Sequence, residues 1–232
     1  MLKAVFFDAG GTLVHLDYER VRAALSRAVG RAPTVAALAA AEYEGRAAVE
    51  RALEADPAMA DGSRWRLHFG GALASLGFGP ADLGKAAPEI RAEHARAHLW
   101  TAVQDGVPAA LAALRAAGFV VGCVSNSDGT VAQLLAQVGL LPLLDPVIDS
   151  ALVGFEKPDP GIFRVALERA GVAAAEAMHV GDLFAADVVG ARRAGLEPVL
   201  LDPLGRYGDR GCRTARDIPT LCRELVSSRS HG

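Results

Sequence analysis

The N-terminal stretch Ala4-Val5-Phe6-Phe7, followed at once by Asp8, constrains the fold of this chain more than any other segment. Four consecutive apolar residues with β-branched and aromatic side chains are typical of a strand that is buried on both faces, as in a parallel sheet. Because parallel sheets are covered by helices, the stretch predicts an α/β fold. Ligands bind beyond the carboxyl ends of the strands in such folds, so Asp8 stands at a candidate site.

A glycine-rich turn follows Asp8. Gly10 and Gly11 carry no side chain, so the backbone there can approach a ligand closely, and Thr12 adds a hydroxyl group. These residues predict a binding loop. Taken alone, they are explained equally well by an aspartate that only forms a turn.

Helical signals dominate from about residue 17 to residue 99. The predicted helices are Tyr18–Val29 after an Asp17 cap, Thr34 to about Ala55, Arg64–Leu76, and a fourth from Pro80 or Ala87 to His98. A helix-only block inserted after a single strand predicts a separate small all-α domain. We therefore expect a helical domain at residues 16–100 and an α/β core domain at residues 1–15 and 101–232.

Strands and helices alternate again from about Val107. Four further strands are predicted, at residues 119–124, 146–149, 177–180 and 197–201, and with the first they would complete a five-stranded parallel sheet. A last helix is predicted from Ile218 to about Val226. We expect the polar tail that follows it to be disordered.

Polar side chains stand at or near the carboxyl ends of these strands. They are Asp8, Ser125, Lys157, Asp182 and Asp187. Right-handed crossovers would bring them to one edge of the sheet. Three neighbouring carboxylates repel one another unless a hard divalent cation such as Mg²⁺ lies among them. The pattern therefore predicts a magnesium and phosphate site, with Lys157 and the hydroxyl groups of Ser125 and Thr12 on the phosphate oxygens.

The ordered set of motifs resembles the haloacid dehalogenase superfamily. The motifs are the loop from Asp8 to Thr12, Ser125-Asn126, Lys157 in Glu156-Lys157-Pro158-Asp159-Pro160, and Asp182 with Asp187. The resemblance covers nearly the whole chain. It implies a Rossmann-like core, with the helical block as the α-helical cap domain that closes over the site in that family.

The resemblance also implies a reaction. Asp8 would attack the phosphorus of a small phosphorylated metabolite and form an aspartyl-phosphate, which water then hydrolyses. The implied catalytic residues are Asp8, Thr12, Ser125 and Lys157, and the implied substrate-binding residues are Gly11, Ser125, Asn126 and Lys157. The implied Mg²⁺ ligands are Asp8, the backbone carbonyl of Gly10, Asp182 and Asp187, the last directly or through water.

The chain departs from the family pattern at Gly10, where phosphatases of the family usually carry a second aspartate that moves the leaving-group proton. One interpretation is a phosphatase of reduced activity, or one that recruits another acid such as His15. A second is a 2-haloacid dehalogenase, because halide leaves without a proton; a phosphonate hydrolase is related, but such enzymes use a cap lysine, and Lys85, the one lysine in the helical block, is interpreted as a solvated surface residue. A third is a binding or regulatory protein with little turnover.

The composition restricts the classes of molecule that the protein is expected to bind. A net charge of −3 provides no basic field for nucleic acid or for an anionic membrane, and no apolar run approaches membrane-spanning length. The three cysteines show neither metal-ligand spacing nor a complete disulfide pattern, which suits a reducing compartment. We expect a cytoplasmic monomer or homodimer that binds neither nucleic acid nor membranes.

Overall fold

A computed structural model describes residues 1–56, 59 and 61–229. The chain divides into two units. The α/β unit consists of Met1–His15 and Val103–Gly232, and the helical unit of Leu16–Ala102. No helix among the described residues is both long enough and apolar enough to span a bilayer.

The centre of the α/β unit is a six-stranded parallel sheet. In chain order the strands of the protein are β1 (Ala4–Phe7), β2 (His15–Leu16), β3 (Trp100–Ala102), β4 (Val120–Ser125), β5 (Val147–Asp149), β6 (Ala177–Gly181), β7 (Glu197–Leu201) and β8 (Arg213–Ala215). The six-stranded sheet has the order β5-β4-β1-β6-β7-β8, and β2 pairs with β3 in a separate sheet of two strands. In the larger sheet, Phe7 aligns with Cys123 of β4 and with Val180 of β6. The residues that follow these three strands therefore emerge at one edge.

Helices connect the strands of the large sheet and build the helical unit. They are α1 (Tyr18–Val29), α2 (Val35–Ala55), α3 (Asp61–Ser75), α4 (Pro80–Arg96), α5 (Val107–Ala116), α6 (Val131–Gln137), α7 (Ser150–Val153), α8 (Pro160–Ala170), α9 (Val189–Ala194) and α10 (Ile218–Arg229). A π-helical turn, Phe184–Val188, leads directly into α9.

The sequence predicts the strand β1 and several helix boundaries because the signals for them are local. Asp17 and Thr34 cap α1 and α2 by accepting hydrogen bonds from the backbone N–H groups of Arg20 and Ala37. Alternate residues of β1, Ala4 and Phe6, belong to one buried apolar cluster with residues of α8. The predicted α/β class with a Rossmann-like parallel sheet is confirmed.

The prediction of five strands in the sheet was wrong, because β8 adds a sixth at the edge. Arg213 and Thr214 of this strand are exposed; the segment is held by its pairing with β7 and by an ion pair of Arg213 with Glu224 of α10 at 2.8 Å. No apolar run marks such a strand in the sequence. The last helix extends to Arg229, so the prediction of a disordered tail after about Val226 was wrong for residues 227–229; the rest of that tail, residues 230–232, lies outside the described residues.

The helical unit has its own apolar cluster, in which residues of α1, α3 and α4 pack together. Arg20 of α1 also holds the C-terminal end of α4. Its guanidinium donates to the backbone carbonyls of Glu93, Ala97 and His98 at 2.6–3.1 Å. The Glu93 carbonyl also accepts the backbone N–H of Ala97 at 3.2 Å, and a cation beside these carbonyls opposes the negative end of the helix dipole.

Candidate active site

The site is built at the carboxyl edge of the sheet, where β1 and β6 end side by side. The backbone N–H of Asp8 donates to the carbonyl of Val180 at 2.8 Å, which continues the pairing of the two strands by one residue. Asp182 comes directly after β6. The residues Asp8 and Asp182 are 8% and 3% exposed, so both are largely removed from water.

The loop after Asp8 folds back on itself through backbone hydrogen bonds between residues 9–14. Gly11 has a φ of 83°, in the left-handed region that favours glycine. A β-carbon at Gly11 would lie 2.4 Å from a carboxylate oxygen of Asp182, so only glycine leaves room for that carboxylate. Thr12 is fully buried, and its hydroxyl oxygen has no hydrogen-bond partner among the residues that the structure describes. A hydroxyl in that state is available to a ligand.

Lys157 connects the two ends of the site. Its ammonium group donates to Asp8 Oδ1 at 2.5 Å and to Asp187 Oδ1 at 2.7 Å, and the residue is 2% exposed. Burial alone would lower the pKa of Lys157, but the negative charges of Asp187 and Asp8 outweigh it and hold the pKa above its usual value. The lysine therefore stays charged.

Asp187 is the most firmly held carboxylate of the group. Besides Lys157, its Oδ1 is hydrogen-bonded to His179 Nε2 at 2.8 Å, and its Oδ2 accepts the backbone N–H of Leu183 at 3.0 Å. Burial works to raise the pKa of Asp187, but the charge of Lys157 and the bond to His179 lower it below its usual value. The pKa of Asp8, in contrast, is raised by burial, against the opposing charge of Lys157.

Asp8, Asp182 and Asp187 together offer oxygen ligands. One carboxylate oxygen from each lies within 4.8 Å of the others, and all three residues are buried. Buried oxygen donors at this spacing, with the single cation of Lys157 among them, fit the ligand preference of Mg²⁺. The donor set is thus compatible with the predicted metal.

The segment after β4 is hydrogen-bonded to the backbone of Lys157 through Asn126. The Asn126 side chain accepts the Lys157 backbone N–H at 2.7 Å and donates to the Lys157 carbonyl at 3.0 Å. Both polar atoms of this amide are therefore engaged with the lysine backbone. Ser125, at the end of β4, is 4% exposed, and its hydroxyl makes a long contact of 3.5 Å with the carbonyl of Asn126.

Two residues of this region were missed by the sequence analysis. His179, inside β6, is buried and its Nε2 is hydrogen-bonded to Asp187. Asp149, at the end of β5, accepts the backbone N–H groups of Gly129, Val131 and Ala151 and so shapes the loop after β4. A histidine in a buried strand carries no local signal of a partner, whereas a strand-end aspartate before a helix is a recognisable cap signal.

Comparison with known proteins gives a consistent result. A family model described as haloacid dehalogenase-like hydrolase matches residues 2–195. A glyceraldehyde 3-phosphate phosphatase of Methanopyrus kandleri is 31% identical over 232 aligned positions, which cover 94% of this chain and 91% of that protein. The haloacid dehalogenase-like hydrolase domain-containing protein 3 of Mus musculus is 39% identical over 99 residues, and this match spans 43% of the chain and 39% of the mouse protein.

The fold is also found in solved structures. The HAD-hydrolase YfnB of Bacillus subtilis, solved with magnesium bound, superposes with a TM-score of 0.70 at 21% identity, over 97% of this chain and 98% of that one. At this identity the likeness concerns the fold.

Proposed function

This chain belongs to the haloacid dehalogenase-like hydrolase family, and from that premise we propose that it is a Mg²⁺-dependent phosphatase of small phosphoric monoesters. One observation carries the proposal. Lys157 bridges Asp8 and Asp187 in a buried site that Asp182 shares, so a nucleophile, a cation and oxygen ligands for a metal stand together. We further propose that the helical unit acts as the cap domain of the family.

Asp8 is the proposed nucleophile. Its carboxylate oxygen forms a bond to the substrate phosphorus while the bond from phosphorus to the leaving oxygen breaks, which gives an aspartyl-phosphate and an alkoxide that takes a proton from water. Water then attacks the phosphorus, the phosphoryl group leaves as inorganic phosphate, and the Asp8 carboxylate is restored. The short contact with Lys157 supports this role, because it orients one Asp8 oxygen and leaves the other for attack.

The remaining predicted residues hold the phosphoryl group. Lys157 neutralises charge on its oxygens, and the hydroxyl groups of Thr12 and Ser125 donate to them. Gly11 would let the backbone approach the phosphoryl group, since its own N–H already donates to the Val14 carbonyl at 2.8 Å, while Asn126 acts through the Lys157 backbone, to which both its polar atoms are hydrogen-bonded. Fixed donors of this kind stabilise the transition state without any rearrangement during the reaction.

The proposed metal ligands are Asp8, the Gly10 carbonyl, Asp182 and Asp187. When bound, Mg²⁺ would neutralise negative charge on the phosphoryl group that is transferred. Because Asp187 already accepts bonds from Lys157, His179 and Leu183, its contribution would be made with its remaining lone pairs or through water.

The direct test is phosphate release from p-nitrophenyl phosphate and acetyl phosphate, whose leaving groups need little protonation. We expect release with Mg²⁺, loss of release when EDTA removes the metal, and recovery when Mg²⁺ is added back. Folded protein that releases no phosphate from either compound with Mg²⁺ present would contradict the proposal.

A 2-haloacid dehalogenase is the second candidate, because Gly10 leaves the site without an acid and halide departs without a proton. The cluster of Asp8, Asp182 and Asp187 argues against a dehalogenase, since the displacement of a halide does not require a metal ion held by carboxylates. Chloride release from 2-chloropropionate, unaffected by EDTA, would establish the dehalogenase in place of the phosphatase.

Gly10→Asp should raise the rate on alkyl phosphates. Unlike Gly11, Gly10 has no positive φ, so its backbone accepts a side chain. A positioned acid contributes about 10²- to 10⁴-fold, and we expect on the order of 10-fold here because the surroundings are not arranged around the new group. Gly10→Asn, of the same size without the proton, is the control. Equal rates for the two variants on a glycerol phosphate would show that Asp at this position moves no proton.

A further inference from the structure

A segment after β7 reaches the loop that carries Asp182 and Asp187. The hydroxyl group of Tyr207 donates to the backbone carbonyl of Asp182 at 2.8 Å. Tyr207 is itself placed by Asp202, a residue at the end of β7 that is 5% exposed. The Asp202 carboxylate accepts the backbone N–H groups of Arg206 and Tyr207, each at 3.0 Å, and so forms the turn that presents the tyrosine.

The Asp182 carbonyl belongs to the same peptide plane as the N–H of Leu183. That N–H donates to Asp187 Oδ2 at 3.0 Å. The peptide between residues 182 and 183 is thus held at both ends, by Tyr207 at its oxygen and by Asp187 at its nitrogen. A rotation of this peptide would turn the backbone from which the Asp182 side chain projects and would break the bond that orients Asp187.

A second contact fixes the segment against the loop. The guanidinium of Arg210 lies 4.1 Å from the ring centroid of Phe184, the first residue of the π-helical turn. Arg192 of α9 donates to the carbonyl of Gly211. Residues 202–211 therefore contact the loop that carries Asp182 and Asp187 at two places, Asp182 and Phe184.

We infer that Tyr207 is a positioning residue for the metal ligands. Its hydroxyl group fixes the peptide between Asp182 and Leu183, and the N–H of that peptide binds Asp187. The inference rests on the proposed function, since it concerns the ligands of the Mg²⁺ proposed there. Residues that orient metal ligands commonly contribute 10- to 100-fold to metal affinity. Tyr207 acts through the backbone and touches neither substrate nor metal.

Tyr207→Phe removes only the hydroxyl group. We expect the dissociation constant for Mg²⁺, measured by titration calorimetry on metal-free protein, to rise about 10-fold. The concentration of Mg²⁺ for half-maximal phosphatase activity should rise in parallel, while the rate at saturating Mg²⁺ stays within about threefold of wild type. Tyr43→Phe, which removes the same group from α2, should leave Mg²⁺ binding unchanged.

Asp202→Asn provides an independent check, because it weakens the turn that places Tyr207. It should lower the affinity for Mg²⁺, as Tyr207→Phe does. The double variant Tyr207→Phe/Asp202→Asn should lose less affinity than the sum of the two single losses, since both substitutions act on one contact. Equal Mg²⁺ affinity of Tyr207→Phe and wild type would overturn the inference and leave the proposed function standing. A wild-type protein that binds no Mg²⁺ would instead defeat the proposed function.

Discussion

Asp8→Asn is expected to abolish phosphatase activity, with a fall on the order of 10⁵-fold or more. An asparagine side chain cannot form the acyl phosphate, so both halves of the proposed reaction are lost together. The measurement is phosphate release under saturating Mg²⁺. Asp105→Asn, the same change at an exposed position, is the matched control and should have wild-type activity.

The fold should survive this change. The pKa of Asp8 is raised by burial, with a further contribution from the charge of Asp187, so the ionised form of Asp8 is disfavoured in the folded protein. Asparagine is neutral at every pH, and Lys157 keeps its bond to Asp187. In metal-free buffer at neutral pH the melting temperature of Asp8→Asn should therefore equal or exceed that of wild type. This is the trade between stability and activity that charged sites often show.

Beryllium fluoride, which mimics a phosphoryl group on a carboxylate, separates binding from turnover. With Mg²⁺ it should raise the melting temperature of wild type and leave that of Asp8→Asn unchanged. If Asp8→Asn keeps more than about 1% of wild-type activity, Asp8 is excluded as the nucleophile. Wild type that binds beryllium fluoride and yet turns over no substrate would support the regulatory interpretation.

Lys157→Met is expected to lower both activity and stability. Loss of one fixed positive group at the transferring phosphoryl oxygens costs about 10²- to 10³-fold in rate. The variant also leaves Asp8 and Asp187 buried without their shared cation. Breaking a buried ion pair in this way costs about 3–5 kcal/mol of the free energy of unfolding, measured by urea denaturation in EDTA. Added Mg²⁺ should restore part of that loss by binding only the folded state.

Two further lysine variants make this result decisive. Lys85→Met, at an exposed position of α4, should change the free energy of unfolding by less than about 0.5 kcal/mol. Lys157→Arg keeps the charge in a larger planar group, so it should regain most of the stability but little of the activity, because the guanidinium cannot occupy the ammonium position between the two carboxylates. If Lys157→Met unfolds at the same urea concentration as wild type, the bridge contributes nothing to the fold.

Several features of this protein follow from short segments of its sequence. The buried strand β1 is encoded by four apolar residues in a row, and α1 and α2 by caps at Asp17 and Thr34. The chemical types at the strand ends also follow from the sequence, because carboxylates and a lysine beside glycines already indicate a phosphate and metal site. These signals are local: each depends on a residue and its neighbours within about one turn.

The partners inside the site depend on the tertiary structure. Lys157 meets Asp8 across 149 residues of chain, and it does so because β4, β1 and β6 lie side by side in an order that no local pattern encodes. The contact of His179 with Asp187 and that of Tyr207 with Asp182 arise in the same way. The edge strand β8, in which Arg213 and Thr214 are exposed, likewise depends on a non-local contact, its pairing with β7.

The sequence by itself thus determined the fold class, several helix boundaries and the residue types at the edge of the sheet. Only the tertiary structure decided which of these residues touch, and it added His179, Asp149 and Tyr207, whose positions matter only through their partners. The physical reason is the distance along the chain over which each kind of interaction acts. Helix caps and apolar runs act through neighbouring residues, whereas the contacts of the site depend on strand order and register, which the packing of the whole unit sets.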